Sequence, residues 1–98
     1  MNSPDKVILH IYDRSNGFSS DIQIPIDFTG NMVRTGILNL LKQLKKKEYG
    51  DCESIDVKYK GQSLENHKSL GEEGIWDGSE LELISVRRKR GDFFERLL

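Results

Sequence analysis

Gly61-Gln-Ser-Leu-Glu-Asn-His-Lys-Ser-Leu-Gly-Glu-Glu-Gly-Ile-Trp-Asp-Gly-Ser-Glu-Leu-Glu-Leu-Ile84 is the most informative passage of the chain. A strand must end at Gly61. Leu64 and Leu70 are lone apolar anchors in a polar stretch. Ile75 precedes the turn signal Asp77-Gly78, and Leu81-Glu82-Leu83 alternates as a final strand does.

Upstream of this passage, Lys6 to Asp13 alternates. Val7, Leu9 and Ile11 share one face, expected to be inward, and Ile8, His10 and Tyr12 share the other. Ser15-Asn16-Gly17 is a turn signal. Ile22, Ile24 and Ile26 repeat at period two as the hairpin partner. Pro25 has no N–H to give, so this second strand belongs at a sheet edge. Thr29 is placed to cap a helix, and Phe28 to staple onto Val33. Val33, Ile37, Leu40, Leu41 and Leu44 fall on one helical stripe. Gly36 costs about 1 kcal/mol relative to Ala in a helix, which a close approach of helix to sheet would offset. Lys45, Lys46 and Lys47 occupy the last turn, where cations suit the helix dipole, and Gly50 is the stop. A third strand spans 54–60, with Ile55, Val57 and Tyr59 on one face, and the last strand spans 80–86. An amphipathic helix needs a sheet to cover, so the order predicts one helix across a mixed sheet whose first and last strands pair in parallel at its centre.

At 98 residues the chain is one domain, burying roughly 60–65% of its unfolded surface, with no spare volume for a deep catalytic cleft. The net charge of −1 gives no global field for nucleic acid. The charge is uneven, however. Residues 87–98 hold five basic and two acidic side chains, leaving 10 basic and 14 acidic in the rest. The chain divides accordingly into a domain at 1–86 and a basic, then amphipathic, tail at 87–98. Cys52 is the single cysteine, which excludes an internal disulfide. No apolar run approaches the 18 or so residues of a membrane span, and Met1 to Lys6 lacks the apolar run of a signal peptide.

The layout resembles ubiquitin and its relatives over residues 6–87, most strongly at Tyr59-Lys-Gly61, Leu64, Leu70, Ile75 and Leu81-Glu-Leu83. The resemblance implies an α+β fold of the ubiquitin-like β-grasp type, with one mixed sheet of four to five strands and one main helix. Within that group the chain is similar to the YukD/EsaB proteins of bacterial type VII secretion. The similarity lies in Ile22-Gln-Ile-Pro-Ile26, Val33-Arg-Thr-Gly-Ile-Leu-Asn-Leu-Leu41 and Gly74-Ile-Trp-Asp-Gly78. It implies a cytoplasmic accessory or regulatory subunit that acts by contact with cytoplasmic parts of a secretion machine. The short YukD pattern ends near the last strand, whereas about twelve residues follow it here. Two other readings stay open. One is the excised cytoplasmic N-terminal domain of a membrane protein, since a related domain has that place in a channel component of such systems. The other is a ubiquitin-like modifier processed after Gly91. A modifier needs a free Gly-Gly on a flexible arm, whereas Gly91 is single and follows Arg90.

Candidate contact residues form two groups. The first is the sheet surface bearing Lys58, Lys60 and Glu82, whose charges replace the flat apolar patch to which ubiquitin receptors bind; such receptors are not expected to bind here. The second is the tail. Arg87, Arg88, Lys89 and Arg90 suit an acidic partner or an anionic membrane, at around 1 kcal/mol per residue near charged lipid. With Asp92 as a helix cap, Phe93 stacks near Leu97 and Phe94 near Leu98. Those four side chains suit a groove on a protein partner or on a second copy, or a place on the domain's own surface. Nucleic acid is not expected as a partner, because the basic run has no interleaved aromatics and the body is acidic, so phosphate contacts would be few. No catalytic, cofactor or metal site is expected. His10 and His67 lie on different elements without ligand spacing, Cys52 lies between Asp51 and Glu53, an anionic setting unsuited to a nucleophile, and no phosphate loop is present. Trp76 is expected as a partly buried loop anchor.

Overall fold

The computed structural model describes residues 5–87. The elements in order are β1 (Lys6–Asp13), β2 (Phe18–Pro25), α1 (Gly30–Leu44), α2 (Lys46–Tyr49), β3 (Cys52–Tyr59), β4 (Gln62–Ser63) and β5 (Glu80–Arg87). They build one mixed sheet in the order β2-β1-β5-β3-β4. β1 and β5 pair in parallel at its centre, and β2 and β3 flank them antiparallel. This is the ubiquitin-like β-grasp fold predicted from the sequence, with β2 at the edge that Pro25 requires.

The core follows the period-two and period-3.6 patterns. Val7, Leu9 and Ile11 of β1, Ile55 and Val57 of β3, and Leu81 and Leu83 of β5 are buried together with Val33, Ile37 and Leu41 of α1. Leu64, Leu70 and Ile75 are buried as well, so the polar passage between β4 and β5 is held down by the three anchors read from the sequence. Thr29 is extended (φ −82, ψ 166), and its side chain accepts from the Met32 N–H, capping α1 as expected.

The helix departs from the prediction in three ways. It does not run through the lysines to Gly50 but breaks at Lys45 (φ −131, ψ 60). The break lets α2 turn Tyr49 into the core, where it is fully buried. Leu44, expected on the buried stripe, is therefore 69% exposed just before the break, and Leu40, on the flank of the stripe, is 38% exposed. Finally, a Cβ on Gly36 would meet nothing within 4 Å, so no close approach to the sheet explains that glycine. The close approach lies at Gly30 instead, where a Cβ would fall on the backbone carbonyl of Glu65. β3 also begins earlier than predicted, at Cys52, with a register shift between Cys52 and Ser54, and β5 extends to Arg87.

One charged side chain joins the core. Asp13 continues the inward row of β1 and is 1% exposed. Its Oδ1 accepts from the N–H groups of Ser15 (2.9 Å) and Asn16 (3.3 Å). Its Oδ2 accepts from the Asn16 side chain (2.9 Å) and the Tyr49 hydroxyl (2.6 Å). A buried carboxylate is tolerated because these donors replace its water.

Candidate functional site

Among the described residues no element covers the sheet face opposite α1. Lys58 and Glu82 are direct cross-strand neighbours on β3 and β5. With Tyr12, Tyr59, Lys60 and Glu80 they line a shallow depression of about 290 Å³. Lys60 reaches it from outside the strand. Its φ of 51 and that of Gly61 (82) make a two-residue turn into β4 with both residues left-handed, the type I′ hairpin geometry. Its Nζ stands 5.3 Å from the centre of the Tyr59 ring. Glu82 Oε2 lies 3.8 Å from Arg14 Nε, whose guanidinium stands 5.8 Å from the Tyr12 ring centre. An exposed pair of this kind is worth below about 1 kcal/mol, so both groups are available to a partner at little cost. The structure thus gathers Lys58, Lys60 and Glu82 into one charge-alternating, aromatic-floored depression. Ile8 on β1 and Ile84 and Val86 on β5 add exposed apolar groups.

The tail residues separate from this group. Arg87 is the last residue of β5, paired with Cys52, whereas Arg88, Lys89, Arg90, Phe93, Phe94, Leu97 and Leu98 lie outside the described residues. Trp76 is 60% exposed, contrary to its expected role; its neighbour Ile75 is the buried anchor. The Asp77 side chain accepts from the Ile8 N–H at 2.7 Å, fastening this loop to β1 and leaving the indole outside. His10 Nδ1 lies 2.9 Å from Asp21 Oδ1, because the two residues face each other across the β1–β2 hairpin. Cys52 is buried, its thiol donating to the Ser54 carbonyl at 3.0 Å. Among the described residues no three His, Cys, Asp or Glu side chains gather as a metal site, and no helix is long and apolar enough to cross a membrane.

Sequence reasoning missed a second surface. A groove of about 180 Å³ runs between α1 and the edge strand β2. Ile22, Ile24 and Pro25 form one wall, and Met32, Gly36 and Leu40 the other. Met32 and Leu40 are 46% and 38% exposed. The signal for it was present: Met32, Gly36 and Leu40 recur every four residues, a second row beside Val33, Ile37 and Leu41. The missing side chain at Gly36 leaves the groove open.

Comparison with known proteins agrees on the fold. No protein-family model matches the sequence, and no curated protein matches it. Among solved structures, the EccD5 ubiquitin-like domain from Mycobacterium xenopi aligns with a TM-score of 0.69 at 13% identity, over 88% of this chain and 100% of that domain. A chain of the MycP5-free ESX-5 inner membrane complex aligns at 0.68 and 14% identity, over 95% of this chain but only 27% of that one. Caldiarchaeum subterraneum ubiquitin aligns at 0.61 and 18% identity, over 85% and 96%. The chain is similar to ubiquitin-like domains, one of which belongs to a type VII system.

Proposed function

We propose that this protein is a non-enzymatic, cytoplasmic docking domain and an accessory or regulatory component of a bacterial type VII secretion system. The observation that carries the reading is its geometric likeness to the whole EccD5 ubiquitin-like domain. The charged depression around Lys58 and Glu82 supports it, because opposed charges beside aromatic rings give orientation and specificity to a protein contact. Its partners are cytoplasmic parts of the secretion machine. The basic run Arg87–Arg90 steers the domain to an acidic partner or to the anionic membrane surface.

Purifying the tagged protein from its own cells and identifying what co-elutes tests this. Secretion-apparatus subunits, lost on Lys58→Glu, are expected. Ubiquitin-type activating enzymes, together with an intact mass ending at Gly91, would overturn it in favour of a modifier. A second reading, the cytoplasmic N-terminal domain of a membrane component, is favoured by the alignment with 27% of a longer complex chain. Extending the reading frame past Leu98 distinguishes it.

A further inference from the structure

We propose that the groove between α1 and β2 receives the segment 92–98 of a second copy of this chain. This association goes beyond the secretion reading and needs no secretion subunit.

Among the described residues no charged side chain lines the groove. At about 180 Å³ it falls below the roughly 300–1,000 Å³ of pockets that enclose a free small molecule, and so suits side chains projecting from a peptide. Met32 on its wall is an adaptable apolar surface, and β2 beside it is an edge strand whose outer side is unpaired among the described residues. Residues 92–98 offer four large apolar side chains in seven positions. The basic run before them complements Asp21 and Asp27, which are exposed on the strand and turn bordering the groove.

Reach distinguishes the chain's own tail from a neighbour's. Ile22 in the groove wall faces Leu9, and Leu9 precedes the His10–Glu80 pair of β1 and β5. The groove is therefore level with Ser79, back along the sheet from where β5 ends at Arg87. With about 3.3 Å per residue along a strand and about 4.8 Å between strands, Ile22 lies about 28 Å from Arg87. Fully extended, the stretch from Arg87 spans at most about 22 Å to Phe93 and about 25 Å to Phe94. The backbones of Phe93 and Phe94 fall short of their own groove, which only Leu97 and Leu98 are far enough along the chain to reach, whereas the groove of a second copy can take all four side chains. Exchanging tails reciprocally closes a dimer; passing them on in one direction builds longer assemblies.

The test uses the full chain and two full-length variants, Phe93→Ala/Phe94→Ala in the tail and Met32→Lys/Leu40→Lys in the groove. The substituted groove side chains are exposed, and circular dichroism checks that each variant folds. In analytical ultracentrifugation the natural chain is expected to gain mass with concentration. Each variant alone is expected to stay monomeric, and the two mixed are expected to re-form a complex, since one supplies a tail and the other a groove. A peptide of residues 87–98 added to the isotope-labelled tail variant is expected to shift the amide signals of Ile22, Ile24, Gly36 and Leu40. A natural chain that is monomeric at every soluble concentration overturns the proposal. So does association that survives the groove variant, or groove signals that differ between natural and tail-variant chains independently of concentration, which would place the chain's own tail there.

Discussion

Replacing Tyr49 with Phe removes one oxygen from the best-buried polar contact of the domain. The Tyr49 hydroxyl donates to Asp13 Oδ2 at 2.6 Å, and neither side chain exposes more than 1% of its surface. A hydrogen bond to a charged group is worth about 1.5–3 kcal/mol net, and water cannot replace the lost donor. The expected loss is about 2 kcal/mol, or about 8–16 °C in melting temperature for a domain of this size. Burial first, and the Asp13 carboxylate second, push the Tyr49 phenol from 10.0 up to about 12. A phenol raised in the folded state adds stability that is fully present below pH 10. That stability is lost as pH rises through 12, and by linkage it amounts to about 2–3 kcal/mol. Urea denaturation of both proteins from pH 7 to pH 12 measures it: the gap is expected to hold at about 2 kcal/mol up to pH 10 and then to close, because only the natural chain has this phenol to ionise. A gap below about 0.5 kcal/mol at neutral pH, outside the range for such bonds, or one that stays constant to pH 12, would refute the role given to the pair.

Other substitutions test the remaining contacts. Gly36→Ala, with nothing within 4 Å of the new methyl, is expected to stabilise α1 by about 1 kcal/mol, visible as a raised melting temperature. Gly30→Ala drives a methyl onto the Glu65 carbonyl and is expected to cost about 1–3 kcal/mol, measured in the same way. Arg34 donates to the Leu64 carbonyl, to Asn66 Oδ1 at 2.7 Å and to Asp56 Oδ1 at 3.5 Å. Arg34→Ala is expected to cost about 2 kcal/mol in urea denaturation, and Arg34→Lys not to restore it, since an ammonium lacks the planar fork. Lys58→Glu sets two carboxylates opposite each other across β3 and β5. It is expected to cost below about 1 kcal/mol of stability while abolishing recovery of the secretion partner.

The sheet and its burial were legible because strand alternation and single anchors such as Leu64, Leu70 and Ile75 depend only on local spacing. The end of the helix was not. Leu44 and the lysines continue a helical pattern, and the break at Lys45 accompanies a contact distant in sequence, the Tyr49 hydroxyl on Asp13. A trace of this was readable: Asp13 stands on the inward row of β1, and an inward carboxylate requires donors that the turn alone does not supply in full. Gly36 was noticed for its cost, but its effect is to open a groove wall, and that wall is completed by Ile22 and Ile24 from the far side of a turn. The pairing of His10 with Asp21 likewise exists only once the hairpin register is known.

At 13–18% identity to its structural neighbours, the chain shares their fold. Its two candidate surfaces are separate. The depression at Lys58 and Glu82 lies on the open face of the sheet, while the groove lies between α1 and the edge strand on the covered face. Occupation of one leaves the other accessible. Self-association through the groove and capture of a secretion partner at the open face are therefore separable. The groove variant Met32→Lys/Leu40→Lys is expected to abolish the first and keep the second, and Lys58→Glu the reverse. Loss of both activities in either variant would mean that the two surfaces serve one contact.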